Sequence, residues 1–218
     1  HRDLHLSLRR QRQMCIRDSI RALTFFVLLE ALIGAVIVIY EWVGLNSSTP
    51  RIIAVPLHLI NTFGLLGAYT LLFHLTKNSK TSLNNFFDKG FKIGLILFLF
   101  SGATGSIAAL ADVIFPSESF IIGLAEDFDS NSEILTRLRV LHPIVASFLS
   151  IYLYSEANRL QREYKVITKN IKLLVLLGVF LGVLNVVSNI ILPLSILHLL
   201  TADLLWVLYV YKSAEKIN

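Results

Sequence analysis

The sequence predicts an all-α polytopic membrane protein with six transmembrane helices, and three observations carry that prediction. The 218 residues are 55% hydrophobic and only 16% charged, with a mean hydropathy of +0.67. A soluble domain of this size needs far more charge on its surface. Several runs of about 20 residues carry almost no charge, which is the length a helix needs to cross a bilayer. The basic residues, finally, collect in alternate loops, as the positive-inside rule requires of a multi-pass chain. The net charge of +5 therefore calls for no nucleic-acid partner. A single cysteine, Cys15, excludes an internal disulfide and a thiolate metal cluster.

Residues 1–18 stand apart from this pattern. They are arginine-rich, lack apolar periodicity and lack the apolar core of a signal peptide. The string Met14-Cys15-Ile16-Arg17-Asp18-Ser19 resembles translated sequencing-adapter sequence, so the arm is expected to be non-native or disordered. His1, His5 and Cys15 are accordingly expected to carry no function.

The first apolar segment runs from Ile20 to Val43 and the second from Ile52 to Leu75. The third covers Phe91–Phe115 and the fourth Leu138–Tyr154. The fifth and sixth are Ile171–Leu192 and Leu194–Tyr211, with Pro193 expected to make the tight turn between them. Lys77, Lys80, Lys89 and Lys92 lie between segments two and three. Arg159, Arg162, Lys165, Lys169 and Lys172 lie between four and five, and Lys212 and Lys216 close the chain. The stretch Ser117–Thr136 instead holds Glu118, Glu126, Asp127, Asp129 and Glu133. Both termini are thus expected in the cytoplasm and the acidic loop outside, in a bacterial cell membrane.

Small residues recur at helix-contact spacing: Gly178 and Gly182, Gly64 and Ala68, Ser101 and Gly105, Gly102 and Ser106. Such pairs let backbones approach closely and mark helix seams, without indicating chemistry. An internal repeat is also visible. Leu32-Ile33-Gly34 followed by His58 on the next helix is echoed by Phe180-Leu181-Gly182 followed by His198. Both hairpins share one orientation, so the repeat is parallel with a period of four helices. A chain with that period is expected to begin two helices earlier.

His74 sits at the cytoplasmic end of its helix, where an imidazole is unremarkable. His58, His142 and His198 each lie a few residues inside a helix that starts at the acidic-loop side. At ~1.5 Å per residue they fall at nearly one depth. A lone intramembrane histidine is most simply a packing residue bonded to a neighbouring helix. Three at one level favour function, because ionisable groups inside a bundle are costly. Two facing imidazoles with no cysteine and no carboxylate cluster suit an axially ligated haem better than zinc, which takes three or four protein ligands. Arg137 and Arg139, at the start of the His142 helix, are candidate contacts for propionates. They equally fit ordinary flanking residues that snorkel or pair with the acidic loop. Asp203 and Asp112 are candidate groups to orient a ligand histidine, and Asp203 also fits proton transfer, with a structural hydrogen bond as the plainer reading. Glu30, mid-helix, is a similar intramembrane acid. Trp42 and Trp206 fit interfacial anchoring or packing.

Four stretches resemble the haem A synthase family of cytochrome oxidase assembly enzymes. They are Gly105–Pro116, Arg137–Pro143, Leu181–Asn185 and Leu197–Trp206, with a looser likeness around Pro56-Leu57-His58. The resemblance covers residues 20–214 and implies eight helices in two four-helix halves, of which this chain holds the third to the eighth. Residues 19–76 would be two helices of the incomplete N-terminal half, 77–92 a cytoplasmic loop, and 93–218 the complete haem-binding half. By the same resemblance His142 and His198 ligate haem b, and His58 is one of two ligands in the half where haem O binds. The implied reaction oxidises a haem O methyl group to the formyl group of haem A by successive hydroxylations. Haem O is then the substrate. Haem O synthase, a quinol or other electron donor and a second copy of the chain are the implied partners, and the lipid bilayer is the setting. The family's catalytic glutamate and second N-terminal histidine belong to its first two helices, so the catalytic residues are expected outside this sequence, and Glu30 does not take that role. The alternative class is a non-enzymatic b-type electron carrier or a transporter-like bundle.

Overall fold

The computed structural model describes the backbone of residues 2–77 and 88–215, with side chains from 13 to 77 and from 88 to 214. The expected loop residue Lys80 and the terminal Lys216 lie outside the described residues, as do the side chains of His1 and His5. Eight helices account for the described fold: α1 (Arg2–Ile39), α2 (Thr49–Lys77), α3 (Lys89–Ile114), α4 (Phe120–Phe128), α5 (Ile134–Leu138), α6 (Leu141–Arg159), α7 (Lys165–Val187) and α8 (Leu192–Glu215). Six spans are long and apolar enough to cross a membrane: Gln13–Ile39, Thr49–Lys77, Lys89–Ile114, Ile134–Arg159, Lys165–Val187 and Leu192–Ala214. The chain is a multi-pass helical membrane protein, as the composition predicts. The expected arm is continuous with the first span, since α1 is helical from Arg2.

The fourth span is broken into α5 and α6, and Pro143 supplies the reason. A proline in a helix clashes with the carbonyl four residues earlier and donates no hydrogen bond to it. That residue is Arg139, the C-cap of α5. Pro143 is tolerated in the first turn of α6, where backbone N–H groups lack helical partners anyway. The break sets His142 in the first turn of α6.

The turn before α8 differs from expectation. Pro193 lies inside the first turn of α8, and the reversal is made by residues 188–191. Asn189 and Ile190 both have positive φ, 58° and 60°. Asn185 holds the reversal: its Oδ1 accepts from the Ile191 N–H at 3.1 Å and its amide donates to the Ser195 hydroxyl at 3.0 Å. Proline fits a first helical turn better than a reversal that needs positive φ.

Helix packing divides the molecule. Helices α3, α6, α7 and α8 pack in succession, α3 on α6, α6 on α7 and α7 on α8. Helix α2 packs on both α3 and α8, whereas α1 leans on α2. An aromatic core of Phe63, Phe91, Phe98, Trp206 and Tyr209 joins α2 to the bundle. Trp206, only 3% exposed, donates its indole N–H to the Phe63 carbonyl at 2.8 Å. Of the two expectations for this residue, packing is the one realised, because its polar handle finds a partner inside the bundle. At the basic-loop end Tyr152 and Tyr209 both donate to the Gly90 carbonyl, at 2.6 and 2.9 Å. Asp88 caps α3 by accepting from the Phe91 N–H at 2.7 Å.

Candidate functional site

His142 from α6 and His198 from α8 are brought together inside the four-helix half. Their ring centroids are 6.1 Å apart and their planes nearly perpendicular, at 84°. Each imidazole is anchored the same way. The Nδ1 of His142 lies 3.2 Å from the Ser101 carbonyl on α3, and the Nδ1 of His198 lies 3.0 Å from the Gly178 carbonyl on α7. A carbonyl can only accept, so both rings carry their proton on Nδ1. Each Nε2 then keeps a free lone pair, the form in which histidine binds metals.

Glycine makes room for both rings. A Cβ on Gly105 would sit 2.9 Å from His142 Cε1, and one on Gly182 would sit 3.1 Å from His198 Cε1. The seam glycines at these positions are imidazole cradles as well as helix contacts. A facing residue cannot be read from spacing on a single helix, so the sequence pattern leaves their role open.

The donor set fits a haem iron. Among the described residues no three or more His, Cys, Asp or Glu side chains gather to hold a metal ion. Two imidazoles alone fall short of the ligands a structural zinc site takes. They suffice for an iron whose equatorial donors come from a macrocycle.

The two arginines fare differently. Arg139 is 10% exposed and already engaged: it meets Asp127 at 2.8 Å, Asp112 at 3.0 Å and Glu126 at 3.5 Å. It also donates to the Ser117 hydroxyl at 3.2 Å and the Gly123 carbonyl at 3.3 Å. One guanidinium thus ties the end of α3, the acidic loop and α4 to the break before α6. Asp112 serves this clasp, its carboxylate accepting from Arg139. Arg137, in contrast, has a buried Nε without a hydrogen-bond partner. Asp203 is half-buried on α8 and its Oδ1 likewise has no partner.

His58 belongs to a separate constellation between α1 and α2. Its Nδ1 lies 3.5 Å from Glu30 Oε2, and Gly34 faces its ring, where an added Cβ would sit 3.7 Å from Cε1. Asn61 and Thr62, one turn on, donate to the two oxygens of Glu30 at 2.5 and 2.6 Å. The sequence shows Glu30 and His58 but not this pairing. The internal repeat is its one visible trace.

A cytochrome oxidase assembly protein family, COX15-CtaA, matches residues 4–210. Two curated relatives, from two strains of Thermus thermophilus and each named protoheme IX farnesyltransferase, are 31% identical over 208 residues. The match takes in 89% of this chain and 33% of each relative, so the chain spans about a third of the length of those proteins. No solved structure matches it. With a match that reaches all six membrane spans and takes in both members of the histidine pair, the chain belongs to the COX15-CtaA family of cytochrome oxidase assembly proteins.

Proposed function

We propose that this chain is the haem b-binding part of a haem A synthase, which oxidises a methyl group of haem O to the formyl group of haem A. The observation that carries the reading is the His142–His198 pair, with both Nδ1 atoms on backbone carbonyls and both Nε2 atoms free. Bound there, haem b would supply reversible one-electron transfer through its iron. His142 and His198 would hold that iron through their Nε2 atoms, and the glycine cradles would keep the two rings from swinging. Arg137, whose Nε lacks a partner, is the propionate contact on this reading, while Arg139 holds the acidic loop over the same end of the bundle. Basic loops in the cytoplasm and the acidic loop outside complete the orientation. His58 would serve the haem O side, and the electron donor would be a quinol or another carrier reaching the haem b site.

The curated relatives favour a second reading, prenyl transfer to protohaem. Two thirds of each relative lie outside the match, and we infer that their name describes that part. A prenyl diphosphate needs acidic side chains free to hold magnesium, whereas Asp112, Glu126 and Asp127 here all turn to Arg139.

The test is direct. The full chain, expressed with haem supply, should carry a low-spin bis-histidine haem that is lost in both His142→Ala and His198→Ala. An unchanged spectrum in both variants overturns the haem b site. For the reaction, the chain is supplied with haem O, dioxygen and a reductant within its full-length parent protein, and the extracted haem is identified by mass. Haem O returned unaltered while haem b is bound would point to an electron carrier. Farnesylated product from protohaem would point to the transferase.

A further inference from the structure

Three histidines in this molecule are seated by one recurring device. Each ring rests against a glycine of the neighbouring helix, and its Nδ1 addresses the residue one turn before that glycine. For His142 the pair is Gly105 and Ser101, and for His198 it is Gly182 and Gly178. For His58 the glycine is Gly34, and the residue four positions earlier is Glu30. In the first two cases the acceptor is a backbone carbonyl. In the third the facing group is a side-chain carboxylate, 3.5 Å from Nδ1, and this buried nitrogen has no hydrogen bond to it or to any other group.

The carboxylate is itself held in place. Thr62 donates to Oε1 at 2.6 Å and Asn61 to Oε2 at 2.5 Å, while the same Asn61 amide donates to the Phe26 carbonyl at 2.9 Å. Phe26 is one turn before Glu30, so α2 grips α1 on both sides of the acid. An ionised carboxylate has about four lone-pair sites. Two are taken, and Oε2 retains capacity for an N–H from His58. A small side-chain rotation closes 3.5 Å to a hydrogen bond.

We propose that Glu30 is the positioning residue of His58: it fixes the Nδ1–H tautomer, presents Nε2 as a free donor, and makes His58 the most electron-rich of the three seated imidazoles. A carboxylate acceptor draws the Nδ1 proton more strongly than a carbonyl does and so raises the donor strength of the opposite nitrogen. The ligand class for Nε2 is an electron-poor metal centre such as a haem iron. That last step rests on the proposed haem function, whereas the tautomer does not.

The ring-nitrogen shifts of histidine-labelled full-length chain in lipid nanodiscs test this without haem. The sample is held at about pH 8, above the ordinary imidazole range. The His58 signals are those missing from His58→Gln. They should report Nδ1–H with a free Nε2, as should His142 and His198. In Glu30→Leu the His58 pattern should move to a tautomer mixture while the other two stay fixed, which also reports that the variant folds. Glu30→Gln keeps one acceptor oxygen, so it should keep the tautomer but weaken the Nδ1–H hydrogen bond, and it carries the test alone if Glu30→Leu fails to fold. His58 found as Nε2–H, or unmoved by either substitution, overturns the proposal. Haem O titration of His58→Ala addresses the ligand reading separately. Unaltered haem O binding there removes that reading and leaves the tautomer result standing.

Discussion

The α1–α2 hairpin and the four-helix half use the same histidine–glycine seat in two different settings. In the bundle, His142 and His198 share an interior and face each other 6.1 Å apart. In the hairpin, His58 faces no second imidazole among the described residues and is served by Glu30, Asn61 and Thr62. None of the apolar window of the first span is buried, against about a quarter to a third in α2, α3 and α8. A seat is therefore a local property of two helices, while a facing pair of imidazoles needs a whole bundle. The bundle fixes its rings with backbone carbonyls, which cannot change charge. A carboxyl group at the hairpin seat puts an ionisable side chain inside the membrane, which is costly unless it serves a site.

Substitutions of the three histidines should break this comparison most sharply. His142→Ala and His198→Ala should each abolish the bis-histidine haem spectrum, while His58→Ala should leave that spectrum intact. A loss in all three would mean that the two regions form one site. Next in size is Arg139→Leu, which strands three carboxylates around a nearly buried position. Breaking such a cluster costs about 3 kcal/mol. Hydrogen exchange should speed up in α4 and α5 ahead of α3, and uniform exchange across all helices would argue against a local clasp.

The glycine seats give a graded test. Overpacking a tight site costs about 1–3 kcal/mol, and each 1.4 kcal/mol is tenfold in affinity. Gly105→Ala, with a Cβ 2.9 Å from His142, should weaken haem binding more than Gly182→Ala, at 3.1 Å. Gly34→Ala, at 3.7 Å, should be nearly neutral for both stability and binding. Haem titration and thermal melting of the three variants would reveal a reversed order. Outside the seats, a small effect should come from Trp206→Phe, which keeps an aromatic ring in the core but loses the bond to the Phe63 carbonyl, a cost of about 1 kcal/mol. Its expected mark is a looser α2 beside an unaltered haem spectrum. A changed spectrum would tie the hairpin to the haem site more closely than the packing suggests.

Much of the site is legible along the chain. His142 and His198 stand out because an imidazole inside an apolar run is rare and costly, and the Gly34–His58 and Gly182–His198 echo identifies two of the three seats. Arg139 shows the limit. Its position at a helix start fits a propionate contact as well as a loop clasp, and only the folded acidic loop brings Asp112, Glu126 and Asp127 to it. Trp206 carries the same lesson, since in the sequence it reads as an interfacial anchor or a packing residue and only the fold buries it in the aromatic core. Pro193 reads as a turn residue and lies in a helix, because its fixed φ suits a first helical turn while the reversal needs positive φ at Asn189 and Ile190.

The sequence by itself determined the class, the six spans and which ionisable residues are placed inside them. Those follow from length, composition and the cost of moving charge into lipid. Facing was decided by the tertiary structure. A helix that is apolar all round gives no periodic signal for its buried side, so which imidazole meets which, and which carbonyl or carboxylate each Nδ1 finds, depends on how neighbouring helices pack. The Glu30–His58 seat belongs to that second kind of knowledge: both residues are visible in the chain, and their pairing exists only where α1 lies against α2.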